Sequence, residues 1–142
     1  WYKDKVSKLL PYLENNILVQ HDAQVINEKG NVIIKSFAKH RKVKTGILKN
    51  LIKNSYHGCC MAFKSELKKY IIPFPNVYLH DEWIGLIAEL NGKTQFLDLR
   101  LMNYRRHEQN ASSFKHLPIF KQIKNRLEYI IGLINYLRNK EI

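Results

Sequence analysis

The stretch from Ile17 to Ile26 narrows the choice of fold more than any other: it is a largely apolar run, with His21 and Asp22 set inside it. It reads as a buried strand, and a buried strand needs partners on its edges and layers on its faces. Asn27 to Asn31, which holds Gly30, reads as a turn, and Val32 to Ser36 as the returning strand. Helical patterns flank this pair. Tyr2 to Asn15 puts Val6, Leu9, Leu10 and Leu13 on one face, with Pro11 a point of kinking. Thr45 suits an N-cap for a helix to about Lys53 that carries Ile47, Leu48, Leu51 and Ile52. Strands alternating with helices imply an α/β fold.

Further along, His57 to Phe63 reads as a strand of small residues, Lys64 to Tyr70 as a short helix, and Ile72 to Leu79 as a loop stiffened by Pro73 and Pro75. Thr94 to Asp98 and Arg100 to Tyr104 predict two short strands. From about Leu117 to Lys140 an amphipathic helix is expected, with an apolar stripe of Phe120, Ile123, Leu127, Ile130 or Ile131, Ile134 and Leu137. Lys121, Lys124, Arg126 and Arg138 lie largely away from that stripe. Such a helix packs on its own domain, on a partner, or, being basic, on an anionic membrane surface. The densest basic cluster, Lys35 to Lys44, reads either as a binder of phosphate or anionic lipid or as a solvated loop.

At 142 residues with 45% hydrophobic content, the chain suits about one globular domain with a real core. Lys plus Arg number 24 against 12 acids, giving a net charge of +12 and a pI near 9.7. That imbalance predicts attraction to an anion: nucleic acid, an acidic membrane surface or a phosphorylated substrate. A basic nucleic-acid-binding α/β module without catalysis is therefore an alternative, although no zinc-ligand pattern, RNA-recognition signature or arginine-rich reading helix is present. The adjacent Cys59 and Cys60 cannot provide a disulfide framework, which fits a reducing cytosol. No apolar run approaches the roughly 20 residues of a spanning helix.

One stretch carries a chemical signal. His80-Asp81-Glu82-Trp83 opens a helix in which Trp83, Leu86, Ile87 and Leu90 recur at helical spacing and Gly92 marks the stop. Asp81 then stands where free backbone N–H groups and the helix dipole suit a carboxylate, and Gly85 leaves space beside it. Asp81 is either a base that meets a ligand or an N-cap. Glu82 is its nearest competitor as base.

Four segments share an order and spacing with a known pattern: Asn54-Ser55-Tyr56-His57-Gly58-Cys59-Cys60-Met61-Ala62-Phe63; Pro73-Phe74-Pro75; His80-Asp81-Glu82-Trp83; and Tyr104-Arg105-Arg106-His107-Glu108-Gln109-Asn110-Ala111-Ser112. Together they resemble the acceptor-side half of a family 2 glycosyltransferase of the GT-A type, in particular bacterial enzymes of surface-polysaccharide synthesis such as rhamnosyltransferases. The likeness runs from Trp1 to about Ser113, so residues 1–113 are expected to be the C-terminal part of a catalytic domain and 114–142 a basic amphipathic helix.

The resemblance implies a partial, Rossmann-like three-layer sandwich that lacks its nucleotide-binding half. It also implies an inverting sugar transfer from a nucleotide-sugar donor to a saccharide or lipid-linked acceptor. Asp81 would be the catalytic base, with His57, Gly58, His80, Glu82 and Trp83 at the acceptor sugar. Arg105, Arg106 and His107 would face the diphosphate. A divalent metal, Mg²⁺ or Mn²⁺, is implied as cofactor, with His107 a candidate ligand and the main ligands upstream of Trp1. Little activity is then expected from these residues alone, and a cytoplasmic location, peripheral at the inner face of the plasma membrane, follows from the same likeness. No nucleic-acid partner is expected on this reading.

Overall fold

A computed structural model describes residues 1–107 and 118–140. The expected strand forms as β1 (Leu18–Ile26), whose side chains are buried on both faces except at Gln24. β4 (Thr94–Arg105) runs parallel to all of β1, from Leu18 opposite Thr94 to Ile26 opposite Arg105. β2 (Val32–Ile34) and β3 (Met61–Phe63) pair antiparallel with its two ends. Because β4 occupies one edge of β1 along its length, the two short strands share the other. The result is an open, mixed, four-stranded α/β sheet. The α/β expectation holds.

β4 departs from the sequence reading, being one strand where two were expected. It absorbs its extra residues as irregularities opposite His21 to Gln24, so the chain bulges instead of breaking. α1 (Lys5–Glu14) forms with Pro11 inside it, yet only Leu9 and Lys5 are buried; Val6 and Leu10 face outward. The basic stretch read as a solvated loop in fact contains α2 (Phe37–Arg41). Ser36 caps it by accepting the Lys39 N–H, and buried Asp22 accepts the Ala38 N–H and the Ser36 hydroxyl. Those bonds fix a helix that propensity alone would not. α3 (Ile47–Ile52) and α4 (Lys68–Ile71) follow.

The main core lies between the sheet and α5 (His80–Asn91). Trp83, Ile84, Leu86, Ile87 and Ala88 meet Leu18, Leu67 and Ile71 there, and each fully buried large side chain contributes about 1.5–3 kcal/mol. α6 (Ile119–Lys140) packs on α5, but with a different face from the one expected. Asn125, Tyr129, Gly132 and Leu133 are its buried residues, while the expected stripe points outward. Gly132 explains the preference: its missing side chain lets Trp83 approach so closely that a Cβ there would stand 3.1 Å from the indole. No helix among the described residues is long and apolar enough to cross a membrane.

Candidate functional site

The start of α5 is pinned from α6. The Tyr129 hydroxyl donates to the Leu79 carbonyl at 3.0 Å and accepts the Leu79 N–H at 2.8 Å, fixing the residue from which the helix begins. Leu79, not Asp81, is the N-cap, and it contributes no side-chain bond. Asp81 therefore sits within the first turn. Its Oδ1 accepts the Glu82 N–H at 2.8 Å, and its Oδ2 accepts the Gly58 N–H at 3.1 Å. The carboxylate is half-buried and held by two backbone donors, with lone pairs to spare for an approaching hydroxyl.

Gly58 opens a single 3₁₀ turn, Gly58–Cys60, that leads into β3; a plain strand was the sequence expectation. A turn aims the Gly58 N–H out of the ladder and at Asp81. A Cβ on Gly58 would stand 3.5 Å from the Asp81 Cβ and 3.6 Å from His80 Nε2, so His80 borders the same opening from its exposed position. The preceding residue, His57, is anchored by its backbone N–H on the Gln20 side-chain oxygen at 2.9 Å, while Gln20 donates to the Ser55 carbonyl.

The His57 ring extends this opening towards β4. It meets Tyr104 edge-on at 5.2 Å between centroids and Phe37 at 4.8 Å. Arg106 lies against Tyr104, donating to its hydroxyl at 3.1 Å, and its backbone N–H bonds to Ile26. A continuous line of contacts thus runs from Asp81 through Gly58, His57 and Tyr104 to the Arg106 guanidinium. Arg105 points elsewhere, donating to the carbonyls of Asn27 and Glu28 in the β1–β2 turn. His107 is exposed at the end of the strand. Arg105 is the last residue of β4, one past the strand end that the sequence predicts, and Arg106 is the first beyond it.

Glu82 and Trp83 are not presented to the opening. Glu82 is 1% exposed and forms an ion pair with Arg126 of α6. Burial raises its carboxyl above the ordinary range, although the guanidinium opposes that shift. Trp83 is 3% exposed in the core, packed near Gly132, and its indole N–H finds no acceptor among the described residues. Glu82 turns inward to Arg126, distant in sequence, and Asp81 is left at the opening.

Behind His57 lies a cavity of about 20 Å³, room for a water molecule, bordered by His21, Asp22, Phe37, Arg41 and Tyr56. Its two histidines have buried Nε2 atoms with no hydrogen-bond partner among the described residues. The short bond between His21 Nδ1 and the Asp22 carbonyl fixes Nδ1 as the donor, leaving Nε2 as an acceptor, and burial lowers the His21 pKa. Asp22, by contrast, is fully engaged by Ala23, Ser36 and Ala38. It is a brace for α2. Sequence reasoning missed Gln20, Phe37, Arg126 and Tyr129, none of which carries a local motif.

Among the described residues no group of three or more His, Cys, Asp or Glu side chains converges to hold a metal ion. No family model, curated protein or solved structure matches the chain. The class that the geometry defines is accordingly limited to a mixed α/β domain with a backbone-held carboxylate at a helix start, bordered by an aromatic and arginine wall.

Proposed function

We propose that the chain forms the acceptor side of an inverting glycosyltransferase of the GT-A type, with its mixed sheet as part of the larger sandwich of such enzymes. In this reading Asp81 accepts the proton of a sugar hydroxyl as that oxygen bonds to the anomeric carbon of a nucleotide-sugar donor. The bond from that carbon to the diphosphate oxygen breaks at the same time, and the departing diphosphate takes the electron pair. Such a base must come within about 3 Å of the hydroxyl. The carrying observation is the Asp81 carboxylate, half-buried and oriented by the Gly58 and Glu82 N–H groups, which leaves it open on one side.

His57, Gly58 and His80 border the acceptor, and the His57 and Tyr104 rings offer apolar faces to a sugar. Arg106 supplies fixed positive charge where negative charge gathers on the leaving group. The four sequence segments that resemble family 2 glycosyltransferases support the same assignment, and bacterial surface-polysaccharide synthesis, including rhamnosyl transfer, is the setting they suggest.

The test is a titration of the isotope-labelled protein with methyl glycosides, rhamnosides among them, followed by amide NMR. Shifts are expected to gather at Gly58, Asp81 and Tyr104 and to weaken in Asp81→Asn. A glycoside series that perturbs none of these amides removes the proposal. The net charge of +12 keeps nucleic-acid binding as the second reading. A gel shift with random RNA that falls steeply with salt would favour it.

A further inference from the structure

α6 has two apolar faces, and the fold uses the smaller one. Opposite its packed side stand Phe120, Ile123, Leu127, Ile131, Ile134 and Leu137, from 44% exposed at Leu137 to 83% at Phe120. At 100° per residue these six fall within an arc of roughly 120°, a continuous stripe about 26 Å long. Scattered exposed apolar residues need no explanation, but a contiguous band of this size marks a surface that meets something.

Charge selects the occupant. The helix carries five cations, Lys121, Lys124, Arg126, Arg138 and Lys140, against the single acid Glu128. Arg126 is spent on Glu82, and Lys124 pairs with Glu128 at 3.9 Å while staying largely exposed. Lys124 borders the stripe, Lys121 lies further round on the same side, and Arg138 falls on the line of the stripe just beyond Leu137. A second copy of the chain would bring another +12 against the first. An acidic lipid surface does the reverse: long cationic side chains lay their stems along the apolar boundary and reach phosphate with their heads.

We infer that α6 docks flat on an anionic lipid surface, its Phe120 to Leu137 stripe entering the headgroup boundary and Lys121, Lys124 and Arg138 meeting lipid phosphates. This docking does not depend on the transferase reading. The alternating three- and four-residue spacing of Phe120, Ile123, Leu127, Ile130, Ile134 and Leu137 also suits a helix pair, so pairing of two copies is the rival that the experiment must separate.

The test is co-sedimentation of the full chain with phosphatidylcholine vesicles, and with vesicles containing about 30% phosphatidylglycerol, at about 0.15 M salt. Wild type should pellet with the acidic vesicles and not with the neutral ones. Leu127→Glu with Ile134→Glu should weaken that binding at least about tenfold, and Lys121→Gln with Lys124→Gln by a few fold. Both apolar positions are about half exposed, so the fold should persist; Leu127→Gln with Ile134→Gln gives the same comparison should it not. The proposal is overturned if wild type fails to pellet. It is equally overturned if the Leu127 and Ile134 variants bind as wild type does, or if sedimentation velocity shows a dimer that those variants dissolve and acidic vesicles do not.

Discussion

The ring of Tyr56 fills the notch left by Gly85: a Cβ on that glycine would stand 2.1 Å from Tyr56 Cδ2 and 2.3 Å from Cε2. The space beside Asp81 that Gly85 was expected to leave open is thus occupied from within. Tyr56 is buried there and donates to Glu89 at 2.6 Å, which locks the segment leading to His57 and Gly58 onto α5.

Gly85→Ala is expected to destabilise the fold. Helix propensity alone favours alanine by about 1 kcal/mol, but the ring cannot yield without losing its burial and its bond to Glu89. A net loss of roughly 3 kcal/mol should follow, read as a fall in melting temperature of about 10 °C. A melting temperature equal to that of wild type would show that the ring is free to move.

The Glu82 and Arg126 pair gives a pH-dependent prediction. Removing one partner of a buried ion pair leaves an uncompensated charge, so Arg126→Met should cost about 3 kcal/mol at neutral pH. Glu82 is an acid whose folded-state pKa lies above its ordinary value, so the folded state binds its proton more tightly than the unfolded state does. Its contribution to stability therefore falls as pH rises past the ordinary carboxyl range, and recovers on acidification. Chemical denaturation at pH 7.5 and pH 5 should show the Arg126→Met penalty shrinking at the lower pH. An equal penalty at both would mean that Glu82 keeps its charge by another route.

How much of this was legible depended on where the deciding contacts lie. β1, its turn and α5 are local patterns, a continuous apolar run, a glycine turn and a helical period of about 3.6 residues, and they formed where the sequence placed them. α6 was also legible as a helix, yet not in its orientation. Its outward stripe is the more apolar, but the packed face is chosen by the Tyr129 bonds to Leu79, the Arg126 pair with Glu82 and the notch at Gly132. Those are long-range, single-residue contacts that amphipathic averaging cannot weigh. The same limit applies at the candidate site. Asp81 was visible as a carboxylate at a helix start, whereas its bond to Gly58 required a 3₁₀ turn in a stretch that reads as a strand.

Gly58→Ala separates the opening from the fold. The added Cβ would meet only ordinary contacts, at 3.5 Å from Asp81 and 3.6 Å from His80, so stability should change by less than about 1 kcal/mol. Because that methyl group covers the approach to the carboxylate, glycoside binding and any transferase turnover should drop. In a protein that also carries the donor-binding half, Asp81→Asn should lower turnover by roughly 10²–10⁴-fold while leaving donor binding intact. Turnover by Asp81→Asn at the wild-type rate would remove Asp81 as the base.

Cys59 and Cys60 should react very differently despite being neighbours. Their sulfurs lie 4.0 Å apart; Cys60 is buried against Met102, and Cys59 is half-buried. A hydrogen bond from Cys60, with His57 and the ammonium of Lys5 in reach, holds the Cys59 thiol well below the ordinary thiol range, whereas the same bond and burial push Cys60 up. Lys5 is itself 3% exposed and donates to the Cys59 carbonyl at 2.8 Å, which holds its ammonium beside the pair, although burial lowers its pKa. The thiolate is the nucleophile, and a depressed pKa keeps it populated in mildly acidic buffer where an ordinary thiol is protonated. Iodoacetamide at pH 6 should therefore alkylate Cys59 and spare Cys60, as read by peptide mass mapping, with iodide leaving as the sulfur–carbon bond forms. Lys5→Met should slow that reaction by removing the nearby positive charge. Equal slow labelling of both residues, rising only above pH 8, would show that Cys59 titrates as an ordinary thiol.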